Sequence, residues 1–172
     1  MQQFTDQRLL LHEIPNHAEF KEKLKKLGLT SDLPTFDASV IEVVKSWVRL
    51  ARQHAEELGK LDPDGLPRAV YSRAYYTAYS ASKAVRYMSR GAVSLKGDDH
   101  RKVSDLPDSF PDVDVWARQL QELYEHRLRA DYDNWVETAH EHSLKPIECK
   151  ALAEKFVTEC LLFLKEKYQV EP

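Results

Sequence analysis

Residues 126–135 read HRLRADYDNW, with a histidine, two arginines, two aspartates and two aromatics in ten positions. Arginine can grip a phosphate or a carboxylate through two parallel hydrogen bonds. Arg127 and Asp131 stand four residues apart, one helical turn along the same face. Upstream, the apolar residues Val113, Trp116, Leu120 and Leu123 recur at helical spacing, and Arg127 and Ala130 continue the stripe. Arg127 therefore falls where the pattern predicts a buried seam. A guanidinium there needs partners, because an unpaired buried charge is heavily penalised. Two readings follow: an Arg127–Asp131 pair that fixes helix register, or an arginine held at a crevice to engage phosphate. Asp131 and Asp133, two residues apart, lie on opposite sides of a helix and do not suit shared acid–base work.

Charge is unevenly spread. The chain has 172 residues and a net charge of −3, but Arg68–Lys102 holds eight basic residues against two acids, and 103–142 holds ten acids against three arginines. The basic segment either faces a polyanion or pairs with the acidic one. Its candidates for RNA or nucleotide binding are Arg73, Lys83, Arg101 and Lys102, joined by Arg129 and by Tyr76 as a stacking ring. Tyrosines at this density also serve as core residues whose hydroxyls find partners.

The elements that must hold these residues are helical. Periodicity predicts helices over 17–27, 39–58, 67–90, 112–133 and 145–168, and no segment reads as a strand. Ser39 and Glu42 have capping-box spacing, Pro67 suits a first helical position, and Gly28 and Gly59 suit helix ends. The third of these helices combines small residues with five tyrosines and reads as the central one. Residues 91–111 form a long connection, a length often tied to function. The expected architecture is all-α, an up-down four-helix bundle over 36–170, with an N-terminal appendage (1–35) carrying one short helix.

A hydrophobic content of 42% describes an ordinary globular chain. No apolar run approaches the ~18 residues of a membrane span, and the N-terminus lacks a signal-peptide pattern, so a cytoplasmic protein is expected, with no membrane contact. Cys149 and Cys160, eleven positions apart on one helix, are separated by roughly 16 Å and read as buried apolar residues. His140 and His142 have no matching ligand pair, and five dispersed glycines form no phosphate loop. No metal or cofactor is expected.

Three segments, taken in order, resemble the HEPN family: SRAYYTAYSASKAVRYMSRG (72–91), the loop KGDDHRKVSDL, and HRLRADYDNW in a variant form in which Arg-x-x-Ala-Asp-Tyr replaces the usual arginine–histidine pair. The resemblance covers about 70–135. It implies a small helical bundle that homodimerises across a basic cleft, often as a metal-independent endoribonuclease in toxin–antitoxin or phage-defence systems beside a nucleotidyltransferase antitoxin. On this sequence the motif arginine is Arg127, and the histidine position holds Tyr132. A tyrosine, with a reference pKa of ~10, is a poor general base. Loss of the imidazole removes about two to four orders of magnitude from catalysis unless His126 or His100 substitutes. Three function classes are expected: a ribonuclease using Arg127 with Asp131, Tyr132, His126 or His100; a non-catalytic RNA- or nucleotide-binding module; and a protein-binding subunit of a nucleotidyltransferase or larger effector.

Overall fold

The computed structural model describes residues 7–133 and 142–171, and these are helical, with no strand among them. Six α-helices run α1 (Gln7–Glu13), α2 (His17–Lys26), α3 (Leu33–Gly59), α4 (Pro67–Arg90), α5 (Val113–Tyr132) and α6 (Pro146–Tyr168), with a 3-10 helix over Gly97–Lys102. Asn134, Trp135 and His140 lie outside the described residues.

Helix α4 is the hub, packing against α3, α5 and α6. Every residue from Thr77 to Tyr87 is buried, so the helix is enclosed on all sides. Its alanines and serines let neighbours approach closely, and Tyr71, Tyr75, Tyr79 and Tyr87 fill the space between. Facing it are Val40, Val43, Val44 and Val48 of α3, Trp116, Leu120 and Leu123 of α5, and Phe156, Cys160 and Leu164 of α6. Both cysteines are buried and free. None of the described helices is long and apolar enough to cross a membrane.

Two boundaries differ from expectation. Helix α3 begins at Leu33, six residues before Ser39, because Pro34 fits its first turn. Ser39 is consequently inside the helix, and its hydroxyl donates to the Thr35 carbonyl at 3.0 Å instead of capping. The N-terminal segment carries two short helices rather than one.

Helix α2 docks on the C-terminal end of α4, and α1 packs against α3. Asn16 caps α2 by accepting from the amides of Ala18 and Glu19. The His17 amide donates to the Gly91 carbonyl and its Nε2 to the Tyr87 carbonyl, both at 2.7 Å. Gly91 ends α4 in the left-handed conformation at φ 81°, and a Cβ there would press on Asn16 and on the backbone of Ala18. Gly91→Ala should therefore destabilise the chain by about 1–3 kcal/mol. Urea unfolding of the variant beside wild type measures this, and an unchanged midpoint would show that the α2–α4 junction is not tight.

Candidate functional site

The periodicity of α5 places Arg127 on its inner face, where the residue is only 8% exposed. Its Nη2 donates to the Tyr76 hydroxyl at 2.8 Å and lies 3.5 Å from the Tyr132 hydroxyl. Its Nε lies 2.8 Å from Asp131 Oδ2, an ion pair in which the N–H is not aligned as a hydrogen bond. The guanidinium carbon is 5.4 Å from the ring centre of Tyr76, 5.2 Å from that of Tyr132 and 5.9 Å from that of Tyr75. Burial opposes the charge, but Tyr76, Asp131 and Tyr132 outweigh it and raise the guanidinium pKa further, so Arg127 stays a cation.

His100 reaches the same tyrosines from the 3-10 helix. Its Nδ1 is 2.9 Å from the Tyr75 hydroxyl, and its ring stacks on Tyr79 with centres 4.4 Å apart. It also meets Tyr76 edge to face at 5.9 Å. Burial, and then the nearby Arg127 cation, lower the His100 pKa, which keeps the imidazole neutral at pH 7. Arg127, Asp131, Tyr132, Tyr76 and His100 thus converge.

What holds His100 there is Asp99, the preceding residue and fully buried. Its carboxylate takes two hydrogen bonds from Arg86 (3.0 and 2.8 Å), one from the Tyr79 hydroxyl (2.9 Å) and one from the Ser94 amide (3.1 Å). Lys83 Nζ stands 3.5 Å away and 4.5 Å from the Trp47 ring centre. Burial works against the carboxylate, but Arg86 and Lys83 outweigh it and hold its pKa below the usual range. Lys83, a candidate RNA contact in the sequence, is therefore internal at 5% exposure, and burial lowers its pKa.

The other candidates lie apart from this cage. Arg101 and Lys102 are exposed on the 3-10 helix. Arg73 lines a cleft of about 500 Å³ with Glu57, Arg68, Ser72 and Asp131, and its Nη1 is 2.8 Å from both Glu57 and His54. Arg129 lines a different cleft, of about 640 Å³, with Arg118, Glu122, Glu125, His126 and Ser143.

His126 belongs to that second cleft and is 1% exposed. Its Nε2 accepts from the Leu144 amide at 3.4 Å, and Ser143 Oγ is 3.1 Å from the same nitrogen while also bonding Glu122. An amide can only donate, so the hydrogen of His126 sits on Nδ1, which donates to His142 Nδ1 at 2.8 Å. His142 in turn stacks on Tyr71 at 4.0 Å. Burial, and then His142, push the His126 pKa down to about 4. Both nitrogens of His126 are thus committed to structure. Sequence reasoning did not anticipate the roles of Asp99, Arg86, Tyr75 or His142. The only available signal was the Asp98–Asp99 pair, the sole acids in a basic run.

Among the described residues no group of three His, Cys, Asp or Glu side chains could hold a metal ion. Compared with known protein families, with characterised proteins and with solved structures, the chain matches none.

Two outcomes follow for stability. Asp99→Asn leaves Arg86 and Lys83 without their carboxylate and should cost about 3–5 kcal/mol, read by chemical unfolding. Because the folded pKa of His126 is depressed, its neutral form favours the native state. That stabilisation is complete above the ordinary value of 6.5 and is lost as pH falls towards 4. His17, His54 and His100 are shifted the same way. Unfolding free energies measured across that window should fall by about 1.4 kcal/mol per pH unit on account of His126, with the other three acting in the same direction. His126→Gln should remove one group's share, and an identical slope in the variant would contradict the assignment.

Proposed function

We propose that this chain is a HEPN-like protein whose α3, α4, α5 and α6 form the family's four-helix bundle, paired as a homodimer, and that it acts on RNA at the Arg127 site. The observation that supports this reading most is the meeting of Arg127, from the motif helix, with His100, from the basic loop, on one set of tyrosines. Metal-independent cleavage needs a base for the 2′-hydroxyl and a cation for the charge that develops on phosphate. Arg127 supplies the cation. His100 supplies the base in place of the motif histidine, which Tyr132 replaces.

Tyr75 sets the imidazole for that role. Its hydroxyl has one hydrogen and lies 3.3 Å from the His100 carbonyl as well as 2.9 Å from Nδ1. With the hydrogen given to the carbonyl, Nδ1–H donates to the tyrosine oxygen and Nε2 presents its lone pair. His126 takes no part, since its nitrogens are occupied.

A second reading, a non-catalytic module that binds RNA, a nucleotide or a partner protein, is favoured by the Arg127–Asp131 ion pair, which already balances the cation. The setting we assign in either case is a toxin–antitoxin or defence system with a nucleotidyltransferase or larger effector as partner.

The full chain incubated with labelled RNA in EDTA tests both. Cleavage should fall about 10²–10⁴-fold in His100→Gln and comparably in Arg127→Ala. RNA left intact by wild type removes the catalytic reading, and RNA bound by wild type but not by Arg127→Ala then supports the second. Binding and cleavage both indifferent to Arg127→Ala would remove the site.

A further inference from the structure

The segment His142–Leu144, which leads into α6, is fastened to two helices. On α5, His126 Nδ1 donates to His142 Nδ1 at 2.8 Å, and His126 Nε2 accepts from the Leu144 amide at 3.4 Å. Ser143 Oγ donates to Glu122 on the same helix. On α4, the Tyr71 hydroxyl donates to the Leu144 carbonyl at 2.8 Å, and the Tyr71 ring stacks on His142. Both imidazoles are buried.

This arrangement has room for one hydrogen between the two Nδ1 atoms and for none on His126 Nε2. A proton added to His126 enters at Nε2 and sets an N–H against the N–H of Leu144. A proton added to His142 enters at Nδ1 and sets an N–H against that of His126. Either way a fastening becomes a repulsion. Another partner for the imidazolium is at hand, because Glu122 Oε1 lies 4.0 Å from His126 Nε2, one turn back on α5. Its carboxylate holds the Ser143 hydroxyl when the segment is fastened and can hold the imidazolium when it is not. Glu125 also favours a charged His126 and Arg129 opposes it, while Glu148 and Cys149 of α6 stand near Tyr71. Burial and the His142 ring outweigh the two acids and hold His126 neutral until the pH approaches 4.

We propose that His126 and His142 form an acid-released latch, in which a proton on either ring frees His142–Leu144 from α4 and α5 while the bundle stays folded. Release of so short a run costs less than unfolding α4, which is enclosed on all sides. It uncovers Tyr71 and His126 and widens the cleft of about 640 Å³ that His126 and Ser143 line. Helix α5 keeps its packing on α4. The latch stands apart from the RNA reading, since neither imidazole belongs to the Arg127 cage.

Amide hydrogen exchange on the full chain at pH 7 and pH 5, followed residue by residue and referred to the unstructured chain at each pH, tests this. With His126 at 6.5 in the released state and about 4 in the latched one, release should become about twentyfold easier over that range. The Leu144 amide should lose protection by that factor, and amides in the middle of α4 should keep theirs. His126→Gln, whose side-chain carbonyl can still accept from Leu144, should cut the response to about fivefold or less. Equal protection of Leu144 at the two pH values overturns the latch. A loss shared equally by α4 does the same, because it reports global unfolding. Both of these are read on wild type and stand even where the variant fails to fold. A wild-type response in a folded His126→Gln overturns the latch as well.

Discussion

The buried carboxylate of Asp99 is the constraint on which the rest of this structure depends. Helix α4 is enclosed by three others yet carries Lys83 and Arg86 among its most buried residues. Two cations in an apolar interior are sustainable only with a partner that accepts their hydrogen bonds. No acid on α4 itself supplies one. The carboxylate comes instead from the connection between α4 and α5, which is drawn onto the side of α4 and fixed by Arg86, Tyr79 and the Ser94 amide. Ser82 adds a hydrogen bond to the Val103 carbonyl at 2.6 Å, so the connection is fastened at both ends of the 3-10 helix. A long connection that would ordinarily be surface becomes part of the core. His100, next in sequence, is thereby set against Tyr75 and Tyr79.

The same economy of charge explains what became of the basic run. Arg86 and Lys83 are spent on Asp99, Arg90 on Asp105 at 2.7 Å, Arg73 on Glu57 and Arg68 on the Ala130 carbonyl. Three of these four partners, Asp99, Asp105 and Ala130, come from the α4–α5 connection and from α5. Most of the basic run is therefore committed to internal partners, with Lys96, Arg101 and Lys102 left exposed around the 3-10 helix. A positive field broad enough to coat a polyanion is not what these residues build. A local site with one committed cation is.

How far the sequence reveals this depends on whether each feature is local. Arg127 on the seam of α5 was legible, because a 3.6-residue stripe says which side faces inward, and its pairing with Asp131 is a one-turn relation. The centrality of α4 was legible from its small residues and tyrosines. The start of α3 was not, because Ser39 and Glu42 mimic a cap and the proline that permits an earlier start gives no sign of which option wins. Nor was the role of Asp99: charge counts record how many groups there are, not which face inward, and Asp98 next to it is exposed. The His126–His142 contact joins a helix to a segment sixteen residues on, a separation at which neither helical nor strand periodicity carries information.

Helix α5 makes the logic of the site plain, because two adjacent residues on it do opposite work. His126 and Arg127 are about 100° apart around the helix and so meet different neighbours. His126 faces the segment that leads into α6, where a backbone amide and a second imidazole use both its nitrogens. An imidazole in that position is neutral, shielded and unable to accept a proton without opening the segment it fastens. Arg127 faces α4, where the Tyr76 hydroxyl, together with Asp131 and Tyr132 of α5 itself, supports a charge that cannot be lost and leaves part of the cage open to solvent through Tyr132. Proximity in sequence would pair these two as acid and cation, but helical geometry separates them. The imidazole that shares Tyr75 with Arg127 comes from outside α5, and the buried aspartate at 99 is what brings it there.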